Sequence, residues 1–267
     1  MTASIAAEPP PTRVASSDTT PPAEHSDKRS RLPGTCLFAA LATLYFAFGC
    51  VMVLRYNLFD PDAPSRVANA GYSFLSRHPH LSAIGFVWNP LPSIVEIPFV
   101  WLSQWWAPLK TYGLAGAAQS AIFMAGLVVM VRAIAIDRGV SRAWRWIAVG
   151  GFALNPLIVV YGGSGMSEAA QMFCLVWCAR YLLRWVERNR IGDLGWAGVA
   201  LGVCYLARYE AVPAACGAVL LVGIVAFVRA PAARRWTTTV SALLIIGLPI
   251  TVAVVVWAVT GWIVADE

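Results

Sequence analysis

Charged residues are scarce in this sequence: Asp, Glu, Lys and Arg together make up 13% of its 267 residues, whereas hydrophobic residues make up 58%. A soluble globular domain usually carries about a quarter of its residues as charged side chains. So low a charge content, together with a mean hydropathy of +0.64, excludes an ordinary soluble domain. The composition instead predicts an all-α fold, that of a polytopic helical membrane protein.

Lysine is nearly absent, since the basic residues comprise 18 Arg and 2 Lys. The arginines cluster in short segments between apolar runs, which is typical of a membrane-topology signal rather than of a nucleic-acid-binding surface. The six cysteines all lie inside apolar runs, where they are expected to act as packing residues rather than as metal ligands. The sequence also lacks an internal repeat of the kind found in transporters built from two similar halves. A nucleic-acid partner and a cysteine metal site are therefore not expected.

Seven apolar runs predict about seven membrane-spanning helices. They lie at roughly 35–56, 112–131, 146–162, 166–186, 194–209, 211–228 and 237–264. The first 34 residues contain six prolines and almost no large apolar residue, so this segment cannot bury enough surface to fold. We therefore expect a disordered tail over residues 1–34 and a transmembrane domain over 35–267.

Arginine-rich segments predict the orientation of these spans. Three of them, at 132–145, 180–190 and 229–235, follow every second predicted span, and the basic stretch "DKRSR" precedes the first span. Because basic loops remain in the cytoplasm, we expect a multi-pass protein of the plasma (inner) membrane with a cytoplasmic amino terminus. Residues 57–111 then form one large external loop with juxtamembrane helices.

Within that external loop, the stretch 90–108 is apolar but is not expected to cross the membrane. It contains Pro92, Glu96 and Pro98, and three tryptophans gather near its end. Prolines and clustered aromatic residues favour an interfacial or re-entrant helix over a clean span.

Polar residues gather on the predicted outer side. The external loop contributes Asp60, Asp62 and Arg66, the turn before the fourth span contributes Glu168, and the turn between the fifth and sixth spans contributes Arg208, Tyr209 and Glu210. Because a charge in the bilayer centre costs about 2.5–3.5 kcal/mol on insertion scales, charges at such places are candidates for a functional site. The site is thus predicted at the outer membrane boundary.

Each of these residues also has a structural interpretation. Asp62 precedes a helical pattern and is a good candidate for a helix N-cap. Glu168 lies in the first turn of a predicted helix, where the helix dipole favours a carboxylate. Arg208 and Glu210 can neutralise each other in a tight turn, and His78 and His80 are expected to be exposed loop residues.

The functional interpretation treats the same residues as one site. The guanidinium of arginine offers a bidentate fork for phosphate oxygens, and a carboxylate can take a proton from an acceptor hydroxyl. Asp60 and Asp62 could instead hold a divalent cation through their oxygens, so the cofactor remains open.

Residues 35–228 resemble the amino-terminal part of the GT-C superfold, a class of integral-membrane glycosyltransferases that includes protein O-mannosyltransferases and aminoarabinose transferases. The resemblance rests on Asp60 and Asp62 directly after the first span and on four motifs in order: "DAPSRVANAGYSFLSR", "GFVWNPLP", "NPLIVVYGGSGMSE" and "LGVCYLARYEA". Family members usually contain more spans and often a carboxy-terminal soluble domain. The resemblance therefore implies a truncated product, one half of a split protein whose second chain supplies the missing helices, or a shortened member.

The resemblance implies transfer of a sugar from a polyprenyl-phosphate donor to an extracytoplasmic acceptor within membrane lipid. Asp62, or alternatively Asp60, would act as catalytic base, and Arg208 with Arg66 would stabilise the leaving phosphate. Glu168, Tyr209 and Glu210 would complete the substrate-binding site, the two glutamates by orienting these groups. The alternative is a non-catalytic polytopic protein, such as a lipid-linked transporter, a flippase, an assembly partner or the inactive half of a split transferase.

The predicted topology can be tested with reporter fusions. A reporter fused after Arg142 or Arg235 should report the cytoplasm, and one fused after Arg77 should report the exterior. An external signal at Arg142 would contradict the orientation, because it would require the stretch 90–108 to cross the membrane.

Overall fold

A computed structural model describes the backbone of residues 28–86 and 88–265, and this part of the chain forms helices and turns without a strand. Its eleven α-helices are α1 (Lys28–Tyr56), α2 (Asp62–Leu75), α3 (Leu91–Leu102), α4 (Pro108–Thr111), α5 (Leu114–Asp137), α6 (Arg142–Ala153), α7 (Pro156–Gly163), α8 (Glu168–Arg188), α9 (Ile191–Ala207), α10 (Ala211–Arg229) and α11 (Arg235–Ala265). Two short 3-10 helices occupy Leu81–Ile84 and Ala232–Arg234. The all-α prediction is therefore confirmed for the described residues.

Four helical stretches are long and apolar enough to cross a membrane: Gly34–Tyr56, Leu114–Asp137, Ala211–Arg229 and Ala232–Val264. A fifth results if α6 and α7, which are bent by 58° at their junction, are counted as one span. The other two predicted spans correspond to α8, which carries five charged residues, and to α9, which has only 17 residues. The described helices thus provide four to five candidate spans.

The stretch 90–108 forms the short helices α3 and α4. The 12 residues of α3 span about 18 Å at 1.5 Å per residue, well below the roughly 30 Å of a bilayer core. Neither helix is therefore long enough to cross a membrane.

The first helix begins earlier than its apolar run. It begins at Lys28, so residues 28–34 of the segment predicted to be disordered are helical. The basic residues of this segment are good helix formers, and extending an existing helix costs far less than starting one. The predicted disorder of residues 1–27 lies outside the described residues.

Contacts between helices define two distinct ends of the bundle, since Gly34 early in α1 lies near Arg132 late in α5, whereas Gly49 late in α1 lies near Ala117 early in α5. At one end, called the basic end, Arg180 Nε donates to Asp137 Oδ2 over 2.8 Å and Arg138 pairs with Glu187. At the other, called the site end, the Tyr209 hydroxyl donates to the Phe86 carbonyl over 3.3 Å. The arginine-rich segments and the predicted site therefore lie at opposite ends of the bundle.

Two apolar clusters hold the bundle together. One is built from α8, α9, α10 and α11, and the other from α1, α5, α6, α7 and α8. Glycines allow the closest approaches: a Cβ on Gly49 of α1 would lie 2.5 Å from the Gly163 carbonyl oxygen, and one on Gly198 of α9 would lie 2.8 Å from that of Ile246. Small residues at such contacts are typical of helix packing in membrane proteins.

The outer faces of α10 and α11 expose many large apolar side chains, including Leu220, Val228, Trp236, Leu244, Leu248 and Trp262, each more than 60% exposed. Soluble monomers rarely expose contiguous apolar patches larger than a few hundred Å². This surface is therefore compatible with a membrane protein.

The close contact of α1 with α7 predicts the effect of one methyl group. Gly49→Ala should lower the unfolding temperature in detergent, because the new Cβ meets backbone rather than a movable side chain, at a cost of about 1–3 kcal/mol. Gly217→Ala is the matched control: no described atom lies within 4 Å of its added Cβ, and alanine favours a helix by about 0.5–1 kcal/mol. Equal unfolding temperatures for the two variants would contradict the close packing.

Candidate functional site

Four segments meet at the site end of the bundle. They are the first turns of α2, the apolar helix α3, the turn between α7 and α8, and the turn between α9 and α10. Gly113 and Gly165 allow this meeting through their positive φ angles of 69° and 79°. Gly113, directly before α5, lies against Pro64 of α2, and Gly165, in the turn between α7 and α8, lies against Ala63. Segments far apart in sequence thus place their charged residues together.

Arg208 lies at the centre of the best-defined contacts. Its Nε and Nη2 donate to the two carboxylate oxygens of Glu210 over 3.1 and 2.6 Å, and its Nη1 donates to Glu168 Oε1 over 2.7 Å and to Ser167 Oγ over 3.2 Å. The bonds to Glu210 and the charge of Glu168 raise the pKa of the Arg208 guanidinium against the effect of burial. The same bonds lower the pKa of the Glu210 carboxyl. Arg208 therefore ties the start of α8 to the α9–α10 turn.

Arg66 is buried, with only 3% of its surface exposed. It lies on the face of α2 that also buries Ala63, Val67 and Ala70, and its guanidinium carbon sits 4.5 Å from the centre of the Trp88 ring. Neither its Nε nor its Nη1 has a hydrogen-bond partner among the described residues. Protein interiors rarely leave buried hydrogen-bond donors unsatisfied. These two donors of Arg66 are therefore available to bind a further group.

Glu96 of α3 is fully buried beside Arg66's helix. Both of its carboxylate oxygens lack a partner in the described part of the chain, and Oε1 lies close to Gly116 in the first turns of α5. Burial raises the pKa of the Glu96 carboxyl well above its ordinary value, and the charge of Arg66 opposes this only in part. Burial therefore favours the neutral, protonated form of the Glu96 carboxyl.

Electrostatics connect these residues into one cluster. Burial lowers the pKa of the Arg66 guanidinium; Glu96, Asp62 and Glu168 raise it again, while Arg208 lowers it further. Such mutual influence places four of the predicted residues, Asp62, Arg66, Glu168 and Arg208, near one another. The structure thus brings together most of the residues that the sequence singled out.

The interpretation of Asp62 as the N-cap of α2 is wrong. The helix begins at Asp62 itself, and it is Asp60 Oδ1 that accepts a hydrogen bond from the Asp62 backbone N–H over 3.1 Å. Asp60 is therefore occupied in shaping the helix start, whereas the half-buried Asp62 carboxylate projects from the first turn and makes no cap bond in the described part.

The remaining candidates occupy the edge of the cluster. Tyr209 is 45% exposed, packs edge-on against Tyr205 and donates its hydroxyl to the Phe86 carbonyl, so it joins the α9–α10 turn to the segment between α2 and α3. His80 is exposed and a ring nitrogen lies 2.6 Å from the His78 carbonyl, which agrees with the interpretation of both histidines as loop residues.

Three contributors escaped the sequence analysis as site residues: Glu96, Trp88 and Ser167. Glu96 could have been recognised as an acid in an otherwise apolar helix, four residues from both Pro92 and Val100, which are buried on the same face. In the parts of the chain that the structure describes, no group of three or more His, Cys, Asp or Glu side chains could hold a metal ion.

Compared with protein-family models, with curated proteins and with solved structures, the chain shows no significant match. The fold and site therefore define an all-helical protein with four to five candidate spans and a partly buried cluster of charges at one end. The family resemblance rests on the motifs alone.

The burial of Glu96 predicts a pH dependence of stability. The pKa of the Glu96 carboxyl is higher in the folded protein than in the unfolded chain, where it is near 4.5. The contribution of Glu96 to stability is therefore largest below pH 4.5 and is lost as the pH rises through the folded pKa. Glu96→Gln should therefore raise the unfolding temperature at pH 8, with a difference that shrinks toward pH 5. Glu187→Gln, an exposed change at the basic end, is the control. A difference independent of pH would mean that Glu96 is ionised and paired in the fold.

Proposed function

We propose that this chain is a membrane glycosyltransferase that moves a sugar from a polyprenyl-phosphate donor to an extracytoplasmic acceptor. The observation that carries the proposal is the buried Arg66, whose Nε and Nη1 have no partner among the described residues although acids and a second arginine surround it. A buried cation with unused donors suits a bound phosphate oxygen, and nearby carboxylates supply a base.

The proposal includes a membrane topology of seven spans, in which α8 and α9 cross together with the four long apolar helices and with the bent α6–α7 pair as one span. Both helices pack inside the bundle, where Cys174, Cys178, Leu194 and Leu201 are buried, so the charges of α8 need not meet lipid. The exposed apolar faces of α10 and α11 support the same view. The site end would face outward from the plasma (inner) membrane, and the basic end would face the cytoplasm.

The two arginines have different roles in this proposal. Arg208 is already engaged by Glu168, Ser167 and Glu210, so its guanidinium is fixed in place and its charge is largely balanced. Arg66 has the unused donors and is the stronger candidate for binding the phosphate oxygens directly. Glu168 and Glu210 orient Arg208, which holds the start of α8 and the α9–α10 turn together at the edge of the site.

Asp62 is the proposed base. Its carboxylate takes the proton of the acceptor hydroxyl while the acceptor oxygen attacks the anomeric carbon of the donor sugar. The bond from that carbon to the phosphate oxygen breaks, and its electron pair remains on the phosphate, where Arg66 stabilises the growing charge. Asp60 is less suited to this role because its carboxylate already accepts a bond from the helix start.

The roles of the two acids predict different mutant activities. Asp62→Asn should reduce transfer from a polyprenyl-phosphate sugar by roughly 10²–10⁴-fold without loss of folded protein, because the amide cannot accept the proton. Asp60→Asn should keep most of the activity, since an asparagine can also cap a helix. Transfer is measured with purified protein in lipid vesicles, alongside the unfolding temperature.

Arg66 provides a second arm of the same experiment. Arg66→Lys should weaken donor binding, because a point charge cannot replace two fixed donors, whereas Glu187→Gln at the basic end should leave transfer unchanged. Small and equal effects of the Asp60, Asp62 and Arg66 changes on a measurable transfer activity would overturn these roles. Absence of transfer in the unaltered protein, tested also with any chain that co-purifies with it, would favour the non-catalytic alternative.

A further inference from the structure

A cavity remote from the proposed site lies at the basic end of the bundle. Its volume is about 510 Å³, and it opens where the end of α8, the start of α9, the end of α10 and the start of α11 meet. This volume falls within the range of roughly 300–1,000 Å³ that is usual for small-molecule sites. Nothing in the proposed transfer reaction uses it.

The lining of this cavity is divided by polarity. Buried apolar residues, namely Trp185, Leu194, Ala226 and Ala242, form its floor. Two arginines and three hydroxyl side chains form its rim: Arg229, Arg234, Thr237, Thr238 and Ser241. A ligand that fits both parts needs an anionic, hydrogen-bonding head and an apolar body.

The positive charge of the rim is not balanced within the cavity. None of the described residues that line it is acidic. The acids close by are engaged elsewhere, since Asp193 pairs with Arg184 over 3.2 Å and Glu187 pairs with Arg138. The rim therefore presents an uncompensated positive field to whatever enters.

We propose that this cavity binds an anionic phospholipid, with its phosphate on the arginines and hydroxyls of the rim and the start of an acyl chain on the apolar floor. The ligand chemistry is a phosphate ester, and lipid is the favoured source because the adjoining faces of α10 and α11 expose Val228 and Leu244 at 72% and 63%. Basic pockets between helices at the cytoplasmic side suit anionic head groups. The site does not depend on the proposed transfer activity.

The two rim arginines, Arg229 and Arg234, differ in how strongly a substitution is expected to disturb the fold. Arg229 Nη1 donates to the Val186 carbonyl over 2.6 Å and so helps to hold the last turn of α8. Arg234 is exposed in the short helix before α11, and changing it removes rim charge with little risk to the fold. Arg234 is therefore the better test.

The experiment uses the full chain purified in neutral detergent. Adding phosphatidylglycerol should raise the unfolding temperature and give a one-lipid complex in native mass spectrometry, and phosphatidylcholine should do neither. Arg234→Gln should weaken phosphatidylglycerol binding about fivefold, as expected for one arginine near an anionic lipid. Ser241→Phe, which narrows the cavity without a change of charge, should also weaken it.

A matched control separates a specific site from general charge. Arg142→Gln removes the same charge at the same end of the bundle, outside the cavity, and should leave binding unchanged. An equal loss with Arg142→Gln, or unchanged binding in both Arg234→Gln and Ser241→Phe, would overturn the proposal.

A stabilisation of the same size by inorganic phosphate or glycerol phosphate would overturn the lipid as the ligand. Loss of lipid binding with transfer activity intact would show that the two proposals stand independently.

Discussion

The bonds of Arg208 to Glu168, Ser167 and Glu210 are the interaction on which the site end depends. They join the first turn of α8 to the turn between α9 and α10. The Arg208 and Glu168 side chains are only about a quarter exposed, at 23% and 25%, so removing Arg208 would leave the Glu168 carboxylate partly buried without its cationic partner. Glu210, at 57%, is more exposed and contributes less through its charge because water screens it.

Arg66 and Glu96 present the opposite situation, since they are more deeply buried and yet lack hydrogen-bond partners in the described residues. Unsatisfied buried groups cost stability, so their persistence in a packed interior needs a compensating role. Burial favours the neutral form of the Glu96 carboxyl, which reduces this cost. The proposed phosphate would satisfy Arg66 only when the donor is bound.

Much of the helical arrangement could be predicted from the sequence, because apolar runs and arginine-rich segments give helix position and direction. The apolar pattern breaks at the Gly–Ser stretch before Glu168, where α8 begins. It breaks again at Tyr209, in the turn that contains Arg208. The identity of the capping aspartate could not be predicted, because helix starts are uncertain by one or two residues and Asp60 and Asp62 differ by two.

The burial of the Arg66 side chain could also have been inferred from the sequence, but its signal is weaker than that of the apolar runs. Ala63, Val67 and Ala70 share its helical face, so the pattern indicates a buried stripe that contains an arginine. The proximity of Glu96 could not be predicted, because it depends on how α3 folds back against α2 and α5. Such tertiary contacts leave no periodic signal in either helix.

The bonding of Arg208 has a consequence for the order in which the protein is made. Glu168 leaves the ribosome 40 residues before Arg208, which corresponds to roughly 2–8 s at usual rates of synthesis. Glu210 follows Arg208 by only two residues and can balance its charge at once. The pair with Glu210 can therefore form before α8 and α9 pack together, whereas the bond to Glu168 requires that packing.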